Sequence, residues 1–275
     1  MVLSKLENTV FIPALVMGTF IENFTVEKIS AMWKLLAISF IIAFIAIPFA
    51  ILVSRLVTKD KYIQKIYTYG LSFSNFGFMG NAVVMVLFPN IFFEYLIFTL
   101  PLWILIYLWG VPQLLITDAG KRQTFGQSIK AFVNPMFIAM LIGMVIGLFD
   151  ISIPKWVISL INVSSDCMSP IAMILTGVVV SAIPLRKMFT NIRIYLISFV
   201  RLVVIPVIFI VVASFFEMQE TIYICALCSL SMPLGLNTIV IPSALGKDTS
   251  IAAGMAVVSH LLACITIPLI FMVMK

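Results

Sequence analysis

The chain has 275 residues, 63% hydrophobic and 10% charged, with a formal net charge of +6 and a mean hydropathy of +1.20. Soluble globular domains are about 45–50% apolar and about 25% charged, so this composition excludes that class. The basic excess is strung between apolar runs instead of gathered into a patch, so no nucleic-acid partner is expected.

In chain order, the N-terminal segment holds an uncharged run at 8–21, extendable backwards past Glu7 and Lys5. It reads as a membrane helix over 1–24. A basic residue ahead of a short apolar run also fits a signal peptide, but Val16-Met17-Gly18-Thr19-Phe20 lacks the small-x-small cleavage pattern. Residues 35–54, 66–93, 95–117, 131–149, 221–246 and 249–274 carry no charge. The stretches 156–185 and 194–216 carry one each, Asp166 and Arg201. Each run is near the roughly 20 residues needed to cross about 30 Å of hydrocarbon, which predicts nine membrane helices.

Alternation from an inner N-terminus puts Lys5, Arg55, Lys59, Lys61, Lys65, Lys121, Arg122, Lys130, Arg186, Lys187, Arg193 and Lys247 inside. Only Lys28, Lys34, Lys155 and Lys275 fall outside, with Glu22, Glu27, Glu94, Asp150, Glu217 and Glu220. The bias follows the positive-inside rule. The expected protein is a multi-pass component of the cell membrane, with a cytoplasmic N-terminus and an extracellular C-terminus.

Chemistry-bearing motifs are scarce. Cys225-x-x-Cys228 has metal-like spacing but no second ligand pair, and the chain has one histidine, His260. With Cys167 and Cys264, these cysteines read as small apolar packing residues. Phosphate loops, HExxH and nucleophile elbows are absent from the sequence, so no enzyme, metal or cofactor is expected.

The spans starting at 35, 66 and 95 recur at 194, 221 and 249, and the helix with Pro13 maps onto that with Pro170, an offset of 154–159 residues. That offset covers five helices, an odd number, so the copies are expected to be inverted, as in many secondary transporters. Residues 31–117 and 187–275 are then expected to superpose after a half-turn about an axis in the membrane plane. Two corresponding spans are interrupted, at Ser74-Asn75-Phe76-Gly77-Phe78-Met79-Gly80-Asn81-Ala82 and at Ser231-Met232-Pro233-Leu234-Gly235-Leu236-Asn237-Thr238. Glycine and proline weaken helices, and asparagine amides can bond freed backbone groups. Both helices are expected to break near mid-membrane, close to Gly77–Asn81 and Pro233–Asn237, and to cross. Paired broken helices point to a transport site, because half-helix N-termini hold anions and freed carbonyls hold cations.

These residues resemble the bacterial members of the auxin efflux carrier family. The first break resembles that family's Asn-x-Gly-Phe-x-Gly-x-Pro crossover, and Pro233-x-Gly-x-Asn resembles the second. Asn134-Pro135 with Ala139 and Gly143, Ile12-Pro13-Ala14-Leu15, Ser169-Pro170 with Gly177, Arg201 ahead of Pro206, and Thr266-Ile267-Pro268-Leu269 are also similar. Ala82 stands where the family usually has a proline, which predicts a less sharp first break. The family normally has ten helices, and the nine expected here match its second to tenth.

The resemblance implies scaffold helices at 1–24 and 128–183, and a transport domain at 31–117 and 187–275 with crossovers at 74–82 and 231–238. It also implies a homodimer and a carboxylate cargo such as malate, malonate or an auxin-like acid. Two converging helix dipoles and asparagine donors independently suit a small organic anion. The expected substrate-binding residues are Asn75, Gly77, Gly80, Asn81, Pro233, Gly235 and Asn237.

Asp166, Arg201 and His260 fall near mid-depth of their spans. Asp or Arg there costs about 2.5–3.5 kcal/mol or more on the insertion scale, which makes each a candidate for coupling or support. Arg201 is expected to reach either Asp166 or the crossover. His260 reads as a helix-contact hydrogen-bonder or as a proton carrier. The leading expectation is a secondary-active, elevator-type carrier of an organic anion in the lipid bilayer, with H+ or Na+ as the candidate coupling ions. The alternatives are a sodium-coupled symporter of the bile-acid type and a truncated, non-transporting membrane subunit.

Overall fold

The computed structural model of the chain describes residues 2–24, 26–116, 135–168, 191–244 and 246–273, with positions 170, 171, 174 and 178 besides. The expected inner loop at 118–130, and much of the expected scaffold at 128–183, including Asn134, Ser169 and Gly177, lie outside the described residues. Every regular element among the described residues is helical, and the extended pairing among them is a single antiparallel bridge between Ser74 and Leu234.

Among these, Met32–Val57, Pro89–Ile116, Ile192–Ala213 and Ser250–Met272 are long and apolar enough to cross a membrane. Shorter apolar helices run over Thr9–Asn23, Phe76–Leu87, Pro135–Leu148 and Glu220–Ser231. The apolar residues are turned outward as readily as inward. Helix Val26–Val57 exposes Ile41, Phe44, Ile45, Leu52 and Leu56 while burying Ser39, Ala43, Ala50 and Ser54. That reversal suits a lipid-facing surface, where the buried polar groups are free to bond one another. Ser54 Oγ lies 2.8 Å from Thr68 Oγ1 on the neighbouring helix.

The helices pack in two groups. Helix Ile12–Asn23 packs against Pro135–Leu148 and Lys155–Asp166. Gly143 and Gly147, four residues apart, allow backbone-to-backbone approach. A Cβ would lie 2.8 Å from the Met17 carbonyl at the first and 2.6 Å from that of Phe20 at the second. In the other group, Val26–Val57 packs on Lys61–Ser72 and Phe92–Leu105, and Ile192–Phe199 packs on Ser250–Val273.

Two helices in this second group are interrupted. Helix Lys61–Ser72 is started by Asp60, whose side chain accepts from the amides of Tyr62 and Ile63. It ends at Phe73, which is extended at φ −122°, ψ 107°. The chain turns helical again over Phe76–Gly80, in a wide π-type turn, and continues through Asn81–Leu87. Helix Glu220–Ser231 ends at Met232, extended at φ −70°, ψ 148°, and helix resumes over Asn237–Ala244. Pro233 explains that stop: its ring disfavours helical geometry at the residue before it and it offers no N–H.

The first break therefore falls at Phe73–Asn75, upstream of the expected Gly77–Asn81. Gly77 and Gly80 sit inside the resumed helix because large side chains press on them. A Cβ would strike the Trp103 ring at Gly77 and the Tyr95 hydroxyl at Gly80. Ala82 lies within continuous helix. Three residues are non-helical at the first break and five, Met232–Leu236, at the second.

Candidate functional site

The interruptions meet each other. Besides the Ser74–Leu234 bridge, the main-chain N–H of Asn75 donates to the Pro233 carbonyl at 2.7 Å, and Ser74 Oγ donates to the Ser229 carbonyl at 2.7 Å. Leu234 N–H donates to Ser259 Oγ at 3.3 Å, tying the second break to helix Ser250–Val273.

Arg201 closes one side of this crossing. Its side chain is 1% exposed, and it donates from Nε to the Met232 carbonyl at 3.1 Å, from Nη1 to Leu71 at 2.9 Å and from Nη2 to Ser229 at 3.1 Å. These carbonyls lie at the C-terminal ends of the two incoming half-helices, where the helix dipole is negative and carbonyls lack intrahelical partners. A buried guanidinium is thus held by main-chain oxygen from both breaks. The Asp166 pairing is not formed. Asp166 is exposed at the end of helix Lys155–Asp166 and lines a separate cavity of about 940 Å³ with Glu22, Asn23 and Asn90.

A second, small pocket lies against Tyr69, Asn75, Gly77, Trp103, Gly235 and Asn237. Both outgoing half-helices begin beside it, at Phe76 and Asn237, so the electropositive helix ends are gathered there. Each asparagine is oriented by a partner. Asn237 Nδ2 donates to Tyr69 Oη at 3.0 Å. Asn75 Nδ2 lies 3.0 Å from His260 Nε2.

The imidazole tautomer follows from its other contact. His260 Nδ1 lies 2.7 Å from the Ala256 carbonyl, which accepts only, so Nδ1 carries the proton. In the neutral ring Nε2 is then the acceptor, and the Asn75 amide turns its NH2 towards it. One N–H of each asparagine is committed to a support.

Of the expected binding residues, Asn75, Gly77, Gly235 and Asn237 share this cavity. Gly80 and Asn81 lie further along the resumed helix, Gly80 beneath Tyr95, whose hydroxyl donates to the Phe76 carbonyl at 3.1 Å. Pro233 contributes its carbonyl to Asn75 and does not line the cavity. His260 stands behind Asn75. Tyr69, Ser74, Trp103 and Ser259 escaped the sequence reading. The signal for Tyr69 was a phenol inside an uncharged run, which needs a hydrogen-bond partner once buried. Cys225 and Cys228 are both buried, and no group of three or more metal-ligating side chains occurs among the described residues.

These features define an all-α membrane protein with two interrupted helices crossing at a polar centre. Residues 1–271 match the family model described as membrane transport protein, the auxin efflux carrier family domain, and the chain belongs to that family. It is accordingly a multi-pass membrane transporter of the auxin efflux type. No curated protein matches the sequence.

Proposed function

We propose that this chain is a secondary-active carrier of a small organic anion, a carboxylate of the malate, malonate or auxin-like type. The observation that carries this reading is the cavity where two half-helices begin and two amides, on Asn75 and Asn237, are pre-oriented. Amide N–H groups and positive helix ends both favour a carboxylate. The carbonyls of the crossing argue the same way. Those of Leu71, Ser229 and Met232 are taken by Arg201, and that of Pro233 by the main-chain N–H of Asn75. A sodium ion of the bile-acid-carrier type would compete for those oxygens with a resident cation, so the sodium-coupled reading has less support.

The mechanism is alternating access of the elevator type, in a homodimer in the cell membrane with its N-terminus inside. The packing supports it, since 26–116 and 191–273 carry the crossing while 2–23 packs chiefly with 135–166, and the two groups meet through Phe20–Phe93 and Tyr107–Phe137. The test is uptake of labelled malate, malonate and indole-3-acetate into proteoliposomes. Asn237→Ala removes one donor to a charged ligand and is expected to weaken apparent affinity about tenfold to a hundredfold, with insertion intact. Unchanged affinity for every substrate would move the site elsewhere.

A further inference from the structure

We propose that His260 is the proton site of this carrier, and that Asn75 couples the proton to the anion. The proposal rests on the anion-carrier reading above. His260 is 5% exposed and Asn75 2%, so neither exchanges its partner for bulk water. In the neutral state Nε2 accepts from Asn75, and the amide oxygen lies on the far side of the amide from the ring.

Protonation at Nε2 reverses that bond. The new Nε2–H needs an acceptor, Nδ1–H stays on the Ala256 carbonyl, and the Asn75 amide turns over so that Oδ1 accepts. Both Asn75 N–H bonds then leave the ring, and Asn75 lines the anion cavity. The same event adds a positive charge one side chain behind that cavity. Both changes favour a carboxylate there, so proton and anion tighten each other by the same factor.

The surroundings make the proton depend on the anion. Helix Ser250–Val273 packs against Ile192–Phe199, Val200–Val204, Glu220–Ser231 and Asn237–Ala244, and it also meets Lys61–Ser72, where Met255 faces Gly70, and Phe88, whose ring packs on Phe271. Their titratable groups are Arg193, Tyr195, Arg201, Glu220, Tyr223, Cys225 and Cys228, with Lys61, Tyr62, Lys65, Tyr67 and Tyr69 on Lys61–Ser72 and Asp60 at its start, while Asp248 and Cys264 belong to the start and the body of the helix itself. The acids Glu220, Asp60 and Asp248 are all exposed at helix starts, and the buried cation Arg201 is spent on carbonyls. A buried imidazolium without a counter-ion is costly, and among these elements no buried carboxylate supplies one. The cargo does. A carboxylate and a proton entering together also cancel charge that would otherwise be carried through hydrocarbon.

The single histidine makes the test direct. Full-length protein labelled with 15N-histidine in lipid gives one imidazole. The expected spectrum is the Nδ1–H tautomer at neutral pH, with a larger protonated fraction at a given lower pH once malonate is added. In proteoliposomes an inward proton gradient should accelerate malonate uptake, and acid should tighten malonate by about tenfold, the gain from one more donor to a charged ligand. H260Q keeps a neutral hydrogen-bonding group beside Asn75, and its malonate uptake should fall below wild type and no longer respond to the gradient.

Malonate transport blind to the gradient in wild type overturns the proposal alone, as does H260Q uptake that still follows it. A protonated fraction unmoved by bound malonate does the same. That measurement uses the wild-type chain, so an unstable variant does not spare the idea. Failure of wild type to bind or carry malonate, malate or indole-3-acetate defeats the anion reading and this proposal with it.

Discussion

The two breaks do the same job with different chemistry. Each ends a half-helix at an extended residue, each places an asparagine at the same cavity, and each asparagine leans on a partner from another helix or half-helix. Asn237 is half-buried and leans on a phenol, Tyr69, whereas Asn75 is fully buried and leans on an imidazole, His260. A phenol stays neutral across the physiological range, while an imidazole is the side chain whose unperturbed charge change falls within it. The geometry is paired, and under the proposal above the response to a proton belongs to the first break alone.

Arg201 belongs equally to both breaks, so its loss should abolish the comparison altogether. R201M removes donors from the Leu71, Ser229 and Met232 carbonyls at once. Ser229 keeps its bond from Ser74 Oγ, but the Leu71 and Met232 carbonyls lose their guanidinium donor at about 1–3 kcal/mol each, which sums to about 2 kcal/mol or more. The expected outcome is a large loss of folded, monodisperse protein on heating in detergent. R201K, which keeps the charge but not the planar fork, should fall between. An R201M variant that melts with wild type would show that the crossing does not depend on the guanidinium.

Legibility in the sequence follows the same division. Charge-free runs exposed the helices because hydrocarbon tolerates few charges, and Pro233 marked the second break because proline stops helices for a local reason. The first break has no proline. Its glycines looked like helix breakers, yet Gly77 and Gly80 are small for the sake of Trp103 and Tyr95, which come from a later helix. Arg201 was conspicuous from its cost at that depth, but its partners are main-chain carbonyls, which leave no mark on the sequence. Asp166 was drawn towards Arg201 by charge alone, and packing set them apart. The Asn75–His260 contact joins residues 185 positions apart, so no spacing rule could disclose it.

Steric relief offers a sharper distinction between the two sides of the cavity. At Gly77 an added methyl meets the rigid Trp103 ring, which is wedged edge-on against Phe76 at 5.0 Å and stacked on Tyr107 at 5.9 Å. At Gly235 it meets the Phe73 carbonyl oxygen at 3.0 Å. G77A is expected to cost about 1–3 kcal/mol by overpacking, and W103F to recover part of it in the double variant. G235A should gain nothing from W103F. Equal rescue of both by W103F would mean that the two glycines serve one contact.

The smallest expected effect separates a support that positions from one that also titrates. Y69F deletes the hydroxyl that accepts from Asn237 and leaves the ring, which packs on Phe73 at 5.1 Å, in place. The lost hydrogen bond is worth about 0.5–1.5 kcal/mol, so the apparent Michaelis constant for a transported carboxylate should rise by about tenfold at most. Because the phenol carries no charge change, the ratio of uptake with and without an inward proton gradient should match wild type. That ratio is the decisive reading: the first break retains its imidazole in Y69F, so proton dependence ought to survive although the second asparagine is loosened. If Y69F abolished the gradient response while H260Q kept it, the roles assigned to the two breaks would be reversed.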